Sequence, residues 1–259
     1  MQKMDIWAES CTVRFGAIDK SDSITLSAVM NFFQEAAISH AENLGVGRKA
    51  MERSNQVWIL SRMSVQVDRR PMYGETVTVR TWPRGGEKLF MLRDFDLHDA
   101  NDIAAVRARS CWLIIDRKKR HPLRPKPIID KLPKNEGLDS LPAAVSLTEK
   151  TLGWVHPLQK TMERRTLYTD VDYNGHVNNV SYIRWIEDAI DPALLEQAKR
   201  LRLDINYISE ILPNDVTGIW SARIDDPAAD TDACAFAFEG RKEPVGKQVS
   251  FRAELRLWQ

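Results

Sequence analysis

Cysteine is scarce in this chain: 259 residues carry three, Cys11, Cys111 and Cys234, and no C-x-x-C pair. An odd number without paired spacing argues against a disulfide framework, and without histidines clustered nearby it argues against a structural zinc site. All three lie in strand-like runs, so each reads as a small core residue rather than a thiol nucleophile. Charge of one sign is equally lacking, with 37 basic against 36 acidic side chains, so nothing in the total marks a nucleic-acid binder. No apolar run approaches the ~18 residues of a transmembrane helix. Met1 to Ser10 have neither the apolar core of a signal peptide nor the Arg/Ser-rich, acid-poor character of a transit peptide. A soluble, cytoplasmic protein with reduced thiols is expected. Histidine is sparse too: His40 reads as a surface or partly buried helix position, His98, His121 and His156 as turn or linker residues, and no pair has metal-ligand spacing. Neither a metal nor a cofactor is expected.

What is present is concentrated between Thr169 and Asn179, where Asp172, Asn174 and His176 alternate. In an extended segment side chains two apart face the same side, so the three are expected to converge, with Tyr173 and Gly175 facing away. Asn178 is the expected N-cap of a helix whose apolar positions, among them Val180, Ile183, Ile186 and Ile190, recur at helical spacing until Asp191-Pro192. The set then meets a helix N-terminus, whose amides and dipole suit a developing oxyanion. Turn and capping chemistry accounts for Asn178 on its own. It has no use for His176.

The pattern along the chain is duplicated. Arg14–Asp19 leads to Ser27, a good cap, and a helix with Ala28, Val29, Phe32, Phe33, Ala36 and Ala37; Arg165–Asp170 leads to Asn178 and its helix in the same order. Strands are expected after the first helix at Gln56–Asp68, Thr76–Trp82, Leu89–His98 and Ala104–Asp116. After the second they are expected at Arg202–Ser209, Val216–Ile224, Ala233–Gly240 and Val249–Trp258. One helix against a set of antiparallel strands, twice, is a two-layer α+β design. Between the halves, His121 to Thr161 holds six of the twelve prolines, a density that reads as a linker.

Asp170 to Ile183 resembles the D-x-D-x-N-x-H-V-N-N-x-x-Y-[IV] signature of plant and bacterial acyl-ACP thioesterases. Met30–Ala37, Trp58–Met63 and Val67–Glu75 are similar to the corresponding helix and strands of that family. The similarity covers most of the chain and is weakest in the linker and the C-terminal strands. It implies a tandem (double) hotdog fold, two long helices each wrapped by antiparallel sheet. Residues 1–120 would form an N-terminal hotdog domain shaping the acyl pocket, 121–161 a Pro-rich linker, and 162–259 a catalytic C-terminal hotdog domain. The family also carries a Glu in a Tyr-x-x-Glu-Cys context at a strand end downstream of its motif histidine. Tyr207-Ile208-Ser209-Glu210-Ile211 occupies that place, so Glu210 carries over and the Cys does not. Aligning the two helix starts sets Ser21, Ser23 and Thr25 opposite Asp172, Asn174 and His176, and Arg70 opposite Glu210. On that alignment the reactive types belong to the second half alone, which implies one active site per chain.

The resemblance implies hydrolysis of fatty acyl-[acyl carrier protein], releasing free fatty acid and holo-ACP and terminating chain elongation. Asp172 would act as nucleophile or as base for water, Asn174 and His176 would position and polarise the carbonyl or relay protons, and Glu210 would orient or deprotonate water. The backbone amides of Val177 and Asn178 would hold the oxyanion, worth about 3–4 kcal/mol for such a donor. Acyl carrier proteins are acidic, and the basic candidates to meet one are Arg117-Lys118-Lys119-Arg120, Arg124, Lys126, Arg164-Arg165 and Lys199-Arg200-Arg202. Such runs also serve as solvated faces. No membrane partner is expected, and the chain would be a monomer or a homodimer. Two alternatives stay open: a hotdog thioesterase acting on acyl-CoA, and a non-catalytic acyl-binding protein.

Overall fold

The computed structural model describes residues 4–135, 138, 141, 147, 157–224, 233–244 and 248–259. The N-terminal half opens with strand β1 (Trp7–Thr12), followed by helix α1 (Leu26–Asn43) and a short α2 (Arg48–Arg53). Four strands follow, β2 (Gln56–Val67), β3 (Thr76–Glu87), β4 (Phe90–His98) and β5 (Ala104–Asp116). A two-residue strand β6 (Pro122–Leu123) and one helical turn α3 (Lys126–Ile129) close it. The second half repeats the scheme with β7 (Gln159–Arg165), α4 (Asn179–Asp188), α5 (Pro192–Gln197), β8 (Arg200–Tyr207), β9 (Val216–Ile224), β10 (Ala233–Lys242) and β11 (Val249–Trp258).

The two halves share one sheet. Its order is β1-β3-β4-β5-β2-β8-β11-β10-β9-β7, with β6 pairing only with β5. Every pairing is antiparallel, and the halves join where β2 runs beside β8, Met63 opposite Ile205 and Val65 opposite Leu203. Read outward from that seam, the strands of each half follow in the same order, so the sheet has the symmetry of the repeat. Alternation drives it: Phe251, Ala253, Leu255 and Leu257 of β11 are fully buried while Arg252, Glu254, Arg256 and Trp258 are half-buried. The buried faces of α1 and α4 meet those strands in one continuous core drawn from both halves, including Phe33, Ile183, Ile186 and Leu203. The duplication extends to charge. Asp94 pairs across β4 and β5 with Arg109 (2.6 Å), and Glu239 pairs across β10 and β11 with Arg252 (2.7 Å).

Several details differ from the sequence reading. Thr25, not Ser27, caps α1, its hydroxyl accepting from the Ala28 amide at 3.2 Å, while Ser27 lies buried inside the helix. Strand β7 was not expected, and β1 was foreseen only as the strand-like run around Cys11. Each sits at a sheet edge, and β7, QKTMERR, has too few apolar residues to show a period of two. Strand β8 stops at Tyr207 because the amides of Ile208 and Ser209 both turn to the Ser250 carbonyl. Part of the proline-rich stretch is packed: Leu123, Ile128, Ile129 and Leu132 lie against a small cluster of Met51, Met91 and Ile114. The second half resumes the sheet at Gln159, within the stretch read as linker. Pro142 and the segment around Trp154 and His156 lie outside the described residues.

Candidate active site

Residues 171–177 form a tight turn rather than the extended segment expected. Val171 and Val177 pair as an isolated antiparallel bridge, the Asp172 amide donates to the His176 carbonyl (2.9 Å), and the Gly175 amide donates to the Asp172 carbonyl (3.0 Å). Gly175 takes φ +79°, which only glycine adopts cheaply. Asp172 closes the turn with its side chain, Oδ1 accepting from the Asn174 amide at 2.8 Å while the Asn174 carboxamide reaches Oδ2 at 3.3 Å. Asp172 and Asn174 are therefore one unit, and His176 stands across the turn from Asp172, where residues of an antiparallel pair share a face.

A second unit is built on the end of β8. His176 Nε2 lies 3.5 Å from Glu210 Oε2, and that oxygen also accepts from the Arg120 guanidinium at 2.5 Å. The backbone beside Glu210 is pinned from two sides. The Ile211 carbonyl accepts from the Val177 amide at 2.9 Å, and the Tyr182 phenol of α4 is hydrogen-bonded to the Ile211 backbone. Burial pushes the Tyr182 phenol up, helped by the negative charges of Glu210 and Asp172, so it remains a neutral hydroxyl. Tyr207 packs edge-on against it at 5.3 Å and donates to the Asn179 carbonyl at 3.2 Å. Ile211 itself is fully buried. The position where the family carries Cys is a core position here, and no thiol is needed beside His176.

The expected oxyanion donors are already committed. The Val177 amide is used by Ile211, and the Asn178 amide donates to the Asp170 carbonyl at 2.8 Å. Asn178 caps α4 as expected, its side chain accepting from the Val180 amide at 2.8 Å. The amide that stays available is that of Asn179, the first residue of the helix, where an N–H has no intrahelical acceptor. No acceptor faces it among the described residues.

Asp172, Asn174, Asn178 and Asn179 line one end of a cavity of about 350 Å³ whose remaining walls come from the N-terminal half. Ala37 and Ala41 of α1, Trp58, Met91 and Trp112 give that part an apolar surface. His176 and Glu210 do not line it. Arg48 stacks over the Tyr173 ring at 4.0 Å and pairs with Glu52 at 3.0 Å, and all three border the cavity. One cation faces it from a strand: Arg93, bonded to His40 Nδ1 and to the Thr81 hydroxyl, each at 3.1 Å. Burial lowers the Arg93 guanidinium to about 10. His40 is fully buried, contrary to the expected surface or partly buried position. Its Nε2 donates to the Met4 carbonyl at 2.8 Å, and burial together with the Arg93 charge brings it down to about 4, against the hydrogen bond to Met4.

The family described as "Acyl-ACP thioesterase N-terminal domain" matches residues 5–132, and the one described as "Acyl-ACP thioesterase C-terminal domain" matches residues 157–255. The chain belongs to the acyl-ACP thioesterase family. Among curated relatives of this family member, a chloroplast palmitoyl-acyl carrier protein thioesterase of Cuphea hookeriana is 30% identical, over 97% of this chain and 62% of that protein. A chloroplast acyl-[acyl-carrier-protein] hydrolase of Cuphea viscosissima is 27% identical over 97% and 63%. This chain thus spans a little over three fifths of the length of those relatives. An acyl-ACP thioesterase structure from Bacteroides thetaiotaomicron superimposes with a TM-score of 0.81 at 24% identity, covering 98% of both chains. The 12:0-ACP thioesterase of Umbellularia californica gives 0.78 at 21% identity, over 98% and 94%. These likenesses establish the tandem hotdog fold.

Set in this thioesterase fold, the basic residues expected to meet a carrier divide. Arg164 pairs with Asp188, Lys126 with Asp130 (3.0 Å) and Arg202 with Asp204 (2.8 Å). Arg117 borders the cavity, 3.9 Å from Glu52, and Arg120 reaches Glu210. No disulfide joins the three cysteines, and none of them lies in the turn or at the end of β8. Among the described residues no group of three His, Cys, Asp or Glu is placed to hold a metal ion, and no helix is long and apolar enough to cross a membrane. The sequence reading passed over Tyr182, Asn179 and Arg120 as site residues. The first two sit within the signature stretch, so their place was visible. Arg120 belonged to a charge run with nothing to single it out, because its partner is 90 positions away.

Proposed function

We propose that this chain hydrolyses the thioester of fatty acyl-[acyl carrier protein], yielding free fatty acid and holo-ACP and so ending chain elongation. The observation that carries the reading is the junction at α4: Asp172 and Asn174 face the polar end of a cavity whose apolar body is built by the other half. The acyl tail occupies that body and sets the thioester carbonyl beside Asp172. Asp172, its carboxylate aimed by Asn174, takes a proton from water as the water oxygen attacks the carbonyl carbon. The Asn179 amide at the positive end of α4 donates its N–H to the oxyanion. When the C–S bond breaks, His176, paired with Glu210, supplies the proton that the leaving thiolate needs. The acidic carrier meets basic side chains of the β5–β6 turn beside the cavity. A cytoplasmic setting belongs to the same reading, and three cysteines that form no disulfide suit a reducing compartment.

The experiment is release of free fatty acid from a mixed-length acyl-ACP pool by the unaltered chain and by folded Asp172→Asn and His176→Ala variants. Release by the unaltered chain that collapses in both variants is expected. Cleavage of acyl-CoA without cleavage of acyl-ACP would remove the carrier from the assignment, and no cleavage of either would leave an acyl-binding protein.

A further inference from the structure

The turn between β5 and β6 is built to hold one side chain. The Asp116 carboxylate accepts from the amides of Lys118 (2.9 Å) and Lys119 (2.8 Å) and from the Asn55 carboxamide (3.0 Å). The Arg120 amide closes back on the Asp116 carbonyl at 2.8 Å. Arg120 itself takes φ +56°, a left-handed conformation that is costly for a residue with a Cβ and that persists where its surroundings impose it. The consequence is directional. A guanidinium from the N-terminal half reaches across to the C-terminal half and bonds the same Glu210 oxygen that faces His176. With side chains 61% and 33% exposed, this ion pair contributes little to stability.

Resting on the hydrolase reading above, we propose that Arg120 is a positioning residue: it fixes the Glu210 carboxylate against His176 and so holds the imidazole where it delivers its proton. The acid–base groups facing this corner are Asp172 across the turn, Glu210, the neutral Tyr182 phenol, Arg120, and Asp215, whose charge is taken up by Lys242 at 3.1 Å. Glu210 favours the imidazolium of His176. Arg120 opposes it, mainly by drawing on the charge of the shared oxygen. Without Arg120 the carboxylate pulls on His176 unshared and swings more freely, so the imidazole is worse placed to deliver its proton.

The test combines an NMR titration of the His176 ring with pH profiles of kcat on acyl-ACP, in the unaltered chain and in Arg120→Met, Arg120→Lys, Glu210→Gln and the Arg120→Met/Glu210→Gln pair. Arg120→Met is expected to move the His176 midpoint and the basic limb of kcat upward together, and to lower kcat roughly tenfold with little change in KM. Arg120→Lys should recover part of each. In the Glu210→Gln background Arg120→Met should change neither. An unmoved His176 midpoint in Arg120→Met, or an equal shift with Glu210 already replaced, would overturn the proposal. The titration needs no substrate, so it reads the Arg120–Glu210–His176 link even if acyl-ACP proves not to be cleaved, an outcome that sinks the hydrolase reading instead.

Discussion

Asp19 and Asp172 hold the same place in the two halves of the molecule. Each accepts from the amide two residues on, Ser21 at 2.9 Å and Asn174 at 2.8 Å. Each donates its own amide across the turn, to Ser23 at 3.0 Å and to His176 at 2.9 Å. Each stands six residues before its helix cap, Thr25 or Asn178. The alignment is two residues away from the one that sets Ser21 opposite Asp172, so the aspartate is common to both halves. What the first half lacks is the rest: Ser21, Ser23 and Arg70 stand where the second has Asn174, His176 and Glu210. Arg70 is buried and ion-paired with Asp19, which it holds below the usual carboxylate range against the opposing effect of burial. Where Glu210 replaces that arginine, Asp172 faces the cavity with no cation paired to it among the described residues. On the proposed function, one turn thus serves as a structural ion pair in one half and as the reactive carboxylate in the other.

The two aspartates should therefore respond oppositely to the same change. Asp19→Asn keeps the turn but removes the charged acceptor of Arg70, a hydrogen bond worth about 2 kcal/mol, and should lower the unfolding midpoint while leaving kcat within twofold of the unaltered chain. Asp172→Asn should leave stability nearly unchanged and lower kcat by roughly 10²–10⁴. Thermal melts and fatty-acid release on the same two preparations decide it. A stable, inactive Asp19→Asn would show that the first turn takes part in catalysis.

The oxyanion role of the Asn179 amide can be isolated by removing a hydrogen rather than a side chain. Asn179 is the first residue of α4 and Asn178 before it is extended, φ −61° and ψ +139°, so proline fits at 179. Asn179→Pro should fold and lose about 10²–10³ in kcat, whereas Asn179→Ala, which keeps the N–H, should retain most of the activity. Equal losses in both variants would assign the effect to the side chain.

Sheet and helices were legible because their signals are local. The alternation of Val77 and Val79 or of Leu255 and Leu257 states the strand and its buried face, and a helix start shows in Asn178, whereas at α1 the cap was read at Ser27 instead of Thr25. The edge strand β7 was not legible, since Lys160, Glu163 and Arg164 carry no period. At the site, Asp172, Asn174 and His176 were readable as a set but not as a shape. The spacing suggested a pleat, and Gly175 with the Asp172 carboxylate makes a turn. Nor could the sequence show that Val177 and Asn178 had spent their amides, because the acceptors, Ile211 and Asp170, are chosen by the tertiary fold.

His40 makes stability depend on acidity. Its folded midpoint, about 4, lies below the ordinary value of 6.5, so between those pH values the unfolded chain binds the extra proton. Stability from this group is complete above pH 6.5 and is lost as pH falls, by about 2–3 kcal/mol between pH 7 and pH 4.5. Urea midpoints measured at both pH values should fall more steeply for the unaltered chain than for His40→Gln. Parallel losses would mean that carboxylates alone account for the acid sensitivity.

On the proposed function the apolar end of the cavity limits the acyl length, and α1 offers a way to change it. Ala37 and Ala41 lie four apart on one helix face and both line that end with only a methyl group. Ala41→Leu adds bulk into open cavity rather than into packed core, so the overpacking cost of about 1–3 kcal/mol should be largely avoided. The turn at Asp172 and the Glu210 pair are untouched, so chemistry on chains that still fit should proceed. The expected result, read from the free fatty acids released out of a mixed acyl-ACP pool, is a product spectrum displaced to shorter chains, with kcat on the shortest substrate close to that of the unaltered protein. A uniform fall across all lengths would mean that Ala41 bounds the path of the thioester itself, and an unchanged spectrum would place the tail outside this cavity.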